Sequence, residues 1–337
     1  MTRPAGLLRA GYPYVRTYGM RRITNFPSDL AIGSSGSLYI LCRGVDAMVR
    51  ILSNDDEDMG YIGSFGKGEG QLTGPVSIQM DDNENIYISD EVLHRITILD
   101  TDGSYVNSWG EHGSDKGQFD RPSGIALDSN GHVYVSDAFN HRVQQYTKDG
   151  KFINSWGVEG SGEGQFNYPW GVAVDDEGDV YVSDWRNDRI QKFTNDGEFI
   201  FEFGGSGKGP GQLHRPAGVE VDVDGDIYVA DAGNDRIQLF NAEGRYVERF
   251  FGDATLSKQG LDYLVNNAVP LRLRDMADLE PQKRFKSPKA VRFDDKTGCM
   301  YVADTESYRV QSYRKDVVRL NEDQIAPSMR NPTLATT

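Results

Sequence analysis

The chain has 337 residues, of which 38 are glycine, 17 are tyrosine and 38% are apolar, a composition typical of many short strands joined by tight turns. Its formal net charge of −15 disfavours a nucleic-acid partner, because such partners are held largely by Lys and Arg on phosphates. No apolar stretch has the length of a signal-peptide core or a membrane span, so we expect a soluble, cytoplasmic protein without membrane association.

The first predicted element is a strand at residues 14–19, whose sequence YVRTYG matches YVNSWG at residues 105–110. The chain beyond it repeats itself every 47 residues. The repeat aligns a set of prolines, Pro75, Pro122, Pro169 and Pro216, and a set of aspartates, Asp90, Asp137, Asp184 and Asp231. A fixed period of this length is typical of propellers and solenoids.

Each repeat contains four short segments rich in β-branched and aromatic residues and bounded by Gly, Asp or Asn. In the copy that starts at Pro169 they are residues 169–175, 180–184, 190–193 and 199–203. Four such segments predict a four-stranded antiparallel sheet, which is one propeller blade. Degenerate copies start at Pro27 and Pro288, so the sequence predicts an all-β, six-bladed β-propeller.

The last copy lacks its fourth strand, and we expect residues 14–19 to supply it and close the ring, which removes open sheet edges. The predicted propeller spans residues 1–320 as a single domain. The tail at 321–337 has no apolar periodicity, and we expect it to drape loosely over the surface.

One spacing is enlarged: Pro216 and Pro288 are 72 residues apart instead of 47. The insertion, residues 253–287, carries apolar residues at helical spacing, which predicts two short amphipathic helices separated by Pro270. They are Leu256, Leu261, Leu264 and Val265, then Leu271, Leu273, Met276 and Leu279. The insertion is interpreted either as a lid over the channel mouth or as a patch that stabilises blades 5 and 6.

Paired charges recur in the blades, and repetition favours a structural role, since a group needed once for chemistry need not recur. The pairs are Asp90 and Arg95, Asp137 and Arg142, Asp184 and Arg189, Asp231 and Arg236, and Asp304 and Arg309.

The glycine-rich connectors also recur and are interpreted as links between blades. The acidic run at 222–226 resembles a calcium loop but lacks the later glutamate, so we expect a turn. Cys42 and Cys299 are in no Cys-x-x-Cys motif, and we expect both to be buried thiols.

Functional residues are therefore sought where the repeat is broken. In each blade the loop between the second and third strands and the connector from the fourth strand to the next blade emerge on one surface, which we call the loop face. The candidate ligand-binding residues on it are Arg43, Glu91, Phe139, Trp170, Trp185, Arg186, Lys289 and Glu306. Trp170, Trp185 and Phe139 predict an aromatic wall, with the charges around the channel mouth. The alternative is that the tryptophans only cover the core.

The segment Tyr134 to Gln144, YVSDAFNHRVQ, returns at Tyr181 to Gln191 and Tyr228 to Gln238. It resembles the NHL repeat family, of the bacterial type, over about residues 14–320. The resemblance implies the propeller fold and several functions: protein binding, RNA binding, sensing, or the lyase reaction that completes peptide amidation. Fold alone does not select among them.

A more distant resemblance is to the propeller of the peptidyl-α-hydroxyglycine amidating lyase, which implies zinc held by connector histidines and a tyrosine and arginines in the loops. Here no histidine follows any connector proline, Phe139 stands near the tyrosine position, and Trp185 stands near a loop arginine. The histidines form no evident ligand set, because His94 and His141 are middle residues of strand-connecting loops and the others are in connectors or turns. They are His94, His112, His132, His141 and His214.

The sequence therefore predicts a propeller that binds a protein or small-molecule ligand at the loop face and channel mouth. The alternative is a lyase or hydrolase acting at the central channel, with Arg43, Glu91 and Arg186 as catalytic candidates. We expect no cofactor and no metal-ligating residues, while a divalent metal in the channel stays an alternative. The sequence leaves the oligomeric state open.

Overall fold

The computed structural model describes residues 6–44 and 47–321, and it confirms a six-bladed β-propeller of four-stranded antiparallel sheets. Within blades 1 to 5 the strands follow chain order, and the first strands of neighbouring blades contact one another around the central channel. Residues 322–337 of the predicted tail lie outside the described residues. None of the helices in the described ranges is long and apolar enough to cross a lipid bilayer.

The strand bounds follow the 47-residue period. From the channel outwards they are Pro27–Ile32, Leu38–Cys42, Met48–Leu52 and Asp58–Ile62 in blade 1, Pro75–Met80, Ile86–Asp90, Arg95–Leu99 and Tyr105–Trp109 in blade 2, and Pro122–Leu127, His132–Asp137, Arg142–Thr147 and Phe152–Trp156 in blade 3. They are Pro169–Val174, Val180–Asp184, Arg189–Phe193 and Phe199–Gly204 in blade 4, Pro216–Val221, Ile227–Asp231, Arg236–Phe240 and Tyr246–Phe250 in blade 5, and Pro288–Asp294, Cys299–Asp304, Arg309–Arg314 and Tyr14–Tyr18 in blade 6. Short 3-10 helices follow three of the second strands: Ala138–Asn140, Ala232–Asn234 and Thr305–Ser307. A short parallel pair, Ser64–Phe65 with Gln71–Leu72, lies in the first connector.

The ring closes as predicted, because the N-terminal strand Tyr14–Tyr18 pairs antiparallel with the third strand of blade 6. A second pairing joins Gly6–Gly11 to Asp316–Leu320 outside the six blades. Both described ends of the chain are therefore held by antiparallel hydrogen bonds.

The acidic turn of blade 5 secures this terminal strand pair. The Lys315 ammonium lies 2.5, 2.9 and 2.9 Å from carboxylate oxygens of Asp222, Asp224 and Asp226. All four side chains are at most 2% exposed. Arg9 pairs with Asp226 and Arg319 with Asp224. The run that resembles a calcium loop is thus a turn whose carboxylates hold cations from the termini.

The hydrophobic core consists of layers between adjacent blades, because strand side chains alternate between the two faces of each sheet. Between blades 3 and 4, for example, Tyr134, Phe166 and Phe193 are fully buried together. Cys42 and Cys299 are both buried, as predicted, and burial raises the pKa of the Cys42 thiol to about 12. A thiol with such a pKa is inert at neutral pH.

The insertion forms three helices instead of two: α1 (Lys258–Val265), α2 (Ala268–Asp275) and α3 (Glu280–Lys283). Pro270 lies inside the first turn of α2 rather than between helices, because the first-turn N–H groups have no intrahelical acceptor and proline is tolerated there. Gln259 in α1 bonds to Asp56 of blade 1, and Thr255 just before α1 bonds to Tyr14 of blade 6. The described contacts therefore join the insertion to the seam where the ring closes.

The repeated Asp/Arg pairs tie each connector to its blade. In blade 4, Arg189 Nε donates to Asp184 at 2.9 Å, and its terminal nitrogen donates to the carbonyls of Gly162 and Gln165. Blades 3, 5 and 6 also form the ion pair. In blade 2 the predicted ion pair between Asp90 and Arg95 is not formed.

In blade 2, Arg95 bonds to the connector carbonyls, but among the described residues its Nε has no partner. Asp90 instead accepts hydrogen bonds from the backbone N–H groups of Val92 and Leu93. Leu93 stands where blades 3 to 5 have an asparagine that donates to the aspartate, and leucine cannot make that bond.

Candidate functional site

The central channel is narrow at the loop face, because the first strands of blades 3, 4 and 5 approach one another closely. A Cβ on Gly124 would lie 2.5 Å from the Trp170 carbonyl oxygen, and one on Gly171 would lie 2.3 Å from that of Ala217. The cavity below the mouth has a volume of about 30 Å³. Since a water needs roughly 10–15 Å³, the cavity has room for water but not for an organic ligand.

Arg292 of blade 6 blocks the channel below this cavity. Its guanidinium donates to both carboxylate oxygens of Asp29, at 3.0 and 2.5 Å, and to Glu220 at 3.0 Å. Ser77 Oγ donates to Asp29 at 2.7 Å, so residues of blades 1, 2, 5 and 6 meet here. Arg292 also lines a second cavity of about 140 Å³ on the far side. This cluster crosses the channel and separates the two cavities.

Sequence reasoning missed the channel cluster, although the signal was present. At the position of Arg292 and Glu220 the other first strands carry Ala31, Gln79, Ala126 and Ala173. Two residues earlier, where blades 3 to 5 have glycine, blade 1 has Asp29 and blade 2 has Ser77. Charged residues at positions that are uncharged and mostly small in the other blades mark an inward-facing cluster, and this signal lies in the inner strands rather than in the loops.

The raised pKa of Glu220 leads us to expect that the free energy of unfolding depends on pH. Burial raises its pKa from 4.5 to about 7, against the opposing effect of Arg292. Between pH 4.5 and 7 the folded state therefore holds a proton that the unfolded state has lost, so the free energy of unfolding falls as pH rises through that window. We expect Glu220→Gln to remove about 2 kcal/mol of this fall. Urea unfolding at pH 5, 6, 7 and 8 measures it, and parallel curves for both proteins would contradict the assignment.

Among the predicted charges, Lys289 lines the upper cavity of the channel. Arg43 of blade 1 forms an ion pair with Glu91 of blade 2. Burial, followed by the nearby Arg43 and to a smaller extent Arg215, lowers the pKa of the Lys289 ammonium, and Glu306 opposes this shift. The Arg43–Glu91 pair neutralises two of the three catalytic candidates. The third, Arg186, is in blade 4, on the opposite side of the six-blade ring.

Two of the three predicted aromatic residues lie together, and arginines are placed over aromatic rings of this surface. Trp170 and Trp185 have ring centroids 6.3 Å apart. Phe139 does not pack on them but meets Tyr168 edge-to-face at 4.7 Å. The Arg186 guanidinium lies 4.0 Å from the Tyr168 centroid and 5.8 Å from that of Trp185, and so connects the two aromatic pairs.

Two further arginines extend this group. Arg121 lies 4.3 Å from the Phe139 centroid, and Arg215 lies 5.0 Å from that of Trp185. These distances are typical of cation–π contacts. We call the whole set the arginine–aromatic strip, and it consists of Arg121, Phe139, Tyr168, Arg186, Trp185, Trp170 and Arg215.

Sequence reasoning missed Arg121, Tyr168 and Arg215, which directly precede the connector prolines, because only the positions after those prolines were compared. All three have left-handed backbones, with φ of 56°, 58° and 51°. Phe26 and Ser287 share this conformation in blades 1 and 6, and Gly74 occupies the position in blade 2. The repeat thus sets the backbone, while the side chains vary from blade to blade.

The strip is suited to binding anionic groups. Arg121, Arg186 and Arg215 are exposed, and within residues 6–44 and 47–321 none of their guanidiniums has an ion-pair partner. A guanidinium stacked on a ring keeps its in-plane N–H groups free for carboxylate or phosphate oxygens. The loop face thus carries unpaired positive charge on a chain whose net charge is −15.

Comparison with known proteins agrees with this architecture. The NHL repeat model matches residues 119–146, 166–193 and 213–240, which lie in blades 3, 4 and 5. No curated protein sequence matches the chain.

Several solved structures share the fold. The virginiamycin B lyase from Staphylococcus aureus is 13% identical, with a TM-score of 0.58, over 91% of this chain and 100% of that chain. A protein of unknown function from Bacteroides thetaiotaomicron is 17% identical, with a TM-score of 0.63, over 93% of this chain and 76% of that one. A chain of the nidogen/laminin complex is 18% identical, with a TM-score of 0.54, over 67% of this chain and 80% of that one. At these identities the similarity shows the fold alone.

Proposed function

We propose that this NHL-repeat β-propeller is a binding protein that recognises an acidic segment of a partner protein through the arginine–aromatic strip. The observation that carries the proposal is the row of three exposed arginines over aromatic rings, without carboxylate partners in the described part of the chain. Arginine and large aromatic residues are the types that dominate binding energy at protein interfaces. Carboxylates on a partner would pair with the guanidiniums, while its apolar groups would contact the rings.

The local positive charge of the strip supports an anionic partner. The net charge of −15 repels polyanions in general, so an anion that binds must do so at a locally positive surface. The strip and the neighbouring Lys289 supply such a surface. The fold also suits protein recognition, since a structural neighbour belongs to the nidogen/laminin complex.

The alternative function is a lyase or hydrolase reaction at the central channel, and a virginiamycin B lyase is among the structural neighbours. The channel geometry gives this alternative less support, because the upper cavity of about 30 Å³ is too small for a substrate and Arg292 crosses the channel below it. A reaction would therefore have to take place on the open loop face.

The binding test uses a labelled random copolymer of glutamate and tyrosine as the probe. We expect Arg186→Ala and Arg215→Ala each to weaken its binding about tenfold, which corresponds to about 1.4 kcal/mol for a lost charge-assisted contact. Trp185→Ala should have a similar effect, because it removes the ring under both guanidiniums. Fluorescence anisotropy gives the dissociation constants, and higher salt should weaken binding further.

The matched control is Arg249→Ala. Arg249 also lies over an aromatic ring, 5.1 Å from the centroid of Phe251, but it is on the outer strand of blade 5. This variant should bind the copolymer as the unmodified protein does. Equal losses in Arg249→Ala and Arg186→Ala, or no loss in either, would overturn the proposal. Stronger binding of single-stranded RNA than of the copolymer would assign the strip to a nucleic-acid partner instead.

A further inference from the structure

Three side chains with metal-binding atoms meet at the junction of blades 2 and 3. His94 is in the loop between the second and third strands of blade 2, and His112 and Asp120 are in the connector that follows. Asp120 Oδ1 lies 3.8 Å from His94 Nδ1 and 3.8 Å from His112 Nε2. The two imidazole centroids are 4.4 Å apart. One ligand atom from each residue lies within 4.8 Å of the others.

These separations are those of ligands rather than of hydrogen-bonded partners. An N–H···O bond needs a donor–acceptor distance of about 3.2 Å or less, so the carboxylate bonds directly to neither ring. Neighbouring ligand atoms of a tetrahedral Zn²⁺ ion with bonds of about 2.0–2.1 Å lie about 3.4 Å apart. Closer approach of Asp120 Oδ1 to both ring nitrogens, and of the two imidazoles to each other, would let the three groups share one ion.

The equivalent positions at the other junctions show why this one is distinctive. Ninety-four residues further along the chain, at the junction of blades 4 and 5, they are Asp188, Ser206 and His214. There Asp188 accepts hydrogen bonds from Ser206 Oγ and from the backbone N–H of Arg215, each 2.7 Å long. The repeat thus brings side chains together at both of these junctions. At the junction of blades 4 and 5, however, Asp188 is already engaged in hydrogen bonds.

At the junction of blades 3 and 4 the three positions are His141, Glu159 and Asn167. His141 Nδ1 lies 3.3 Å from the Phe166 carbonyl. Of these three junctions, the one between blades 2 and 3 differs from the others in having two histidines and one aspartate at the three positions.

We propose that His94, His112 and Asp120 form a binding site for one Zn²⁺ ion. Two imidazole nitrogens and one carboxylate oxygen are a ligand set that suits zinc, and three protein ligands leave a fourth position for water or for a group of a bound partner. His112 is 67% exposed at its side chain, so solvent reaches the site. The site lies on the loop face beside Arg121, and it stands independently of the proposed function.

The charges and hydrogen bonds around the cluster act in both directions on a bound cation. Asp120 supplies the negative charge, while the nearby Arg121 acts against a cation. The backbone N–H of Arg121 donates to His94 Nδ1 at 3.2 Å, and a metal bound at that nitrogen would replace this single neutral hydrogen bond.

The test is equilibrium dialysis of the full, tag-free chain against Zn²⁺ after treatment with a chelator, with the bound metal measured by elemental analysis. We expect one Zn²⁺ per chain. His112→Ala and His94→Asn should each weaken binding at least about tenfold, since loss even of a group that supports a ligand costs 10–100-fold. Asparagine tolerates the left-handed backbone of residue 94, where φ is 53°, so the loop is kept. Co²⁺ in place of Zn²⁺ should give visible absorption bands that both variants lose.

The matched control is His214→Ala, which removes a histidine from the equivalent junction of blades 4 and 5 and should leave Zn²⁺ binding unchanged. Ca²⁺, which prefers oxygen ligands, should not displace the zinc. Less than one bound zinc per chain in the unmodified protein would overturn the site, and so would zinc affinities of His94→Asn and His112→Ala that equal the affinity of the unmodified protein. So would an equal loss in His214→Ala, because binding would then be spread over surface histidines.

Discussion

Replacing Arg292 with methionine is expected to destabilise the protein by about 3–5 kcal/mol, because it leaves the carboxylates of Asp29 and Glu220 without their cation inside the channel. The Asp29 and Arg292 side chains are 4% and 10% exposed, so bulk water replaces the lost contacts poorly. The effect should exceed that of an ordinary core substitution, since an unpaired buried charge costs more than a small cavity. Equilibrium urea unfolding at pH 7.5 measures it.

A compensated variant distinguishes charge from packing. Adding Asp29→Asn and Glu220→Gln to Arg292→Met removes the unpaired charges while nearly keeping side-chain volume. We expect this triple variant to recover a large part of the lost stability, because the penalty arises from uncompensated charge. An exposed arginine outside the channel, changed as Arg249→Met, should alter stability by less than about 0.5 kcal/mol. A loss below about 1 kcal/mol in Arg292→Met would mean that water screens the cluster.

Replacing Lys315 with methionine is expected to cost a similar 3–5 kcal/mol, because three buried carboxylates of the blade 5 turn lose the ammonium that they share. Burial already raises the pKa of Asp222, and Lys315 opposes that shift. Without the lysine, the remaining negative charges repel one another. The free energy of urea unfolding at pH 7.5 gives the loss, which should shrink at lower pH as the carboxylates take up protons.

The same variant should loosen the terminal strands. Residues Asp316–Leu320 follow Lys315 directly and pair with Gly6–Gly11, while Arg9 and Arg319 hold the same acidic turn. We therefore expect faster proteolysis near both ends in Lys315→Met, detected by mass spectrometry. The control is Lys151→Met, whose side chain is 79% exposed and pairs with an exposed aspartate. Equal stability and proteolysis in the two variants would show that the cluster contributes nothing.

The repeat made the architecture predictable. Each 47-residue unit contains its own strand pattern and turn residues, and neighbouring units bury the same faces, so blade count, strand order and ring closure follow from local signals. The Asp/Arg prediction held in blades 3 to 6 and was wrong in blade 2, where Leu93 replaces an asparagine and Asp90 bonds to backbone N–H groups instead. A change of one loop residue was enough to rearrange the aspartate's partners.

The loop face was predictable as a surface but not as a set of contacts. Comparing repeats identified Trp170, Trp185, Phe139 and Arg186, because each departs from its equivalents. It could not show that Tyr168 lies between Phe139 and Arg186, or that Arg43 and Glu91 neutralise each other. Those relations depend on how far adjacent blades are rotated, which alignment of repeats does not contain.

By itself, the sequence determined a six-bladed NHL-type propeller, closed by its N-terminal strand and carrying an insertion before blade 6, because these features are encoded within single repeats and their spacing. Only the tertiary structure decided which singular residues meet. Arg292 reaches Asp29 across 263 positions of chain, and His94 reaches His112 and Asp120 across a blade junction. Such groups form because closing the ring brings the inner strands around one channel and neighbouring loops onto one face, and no local pattern records that closure.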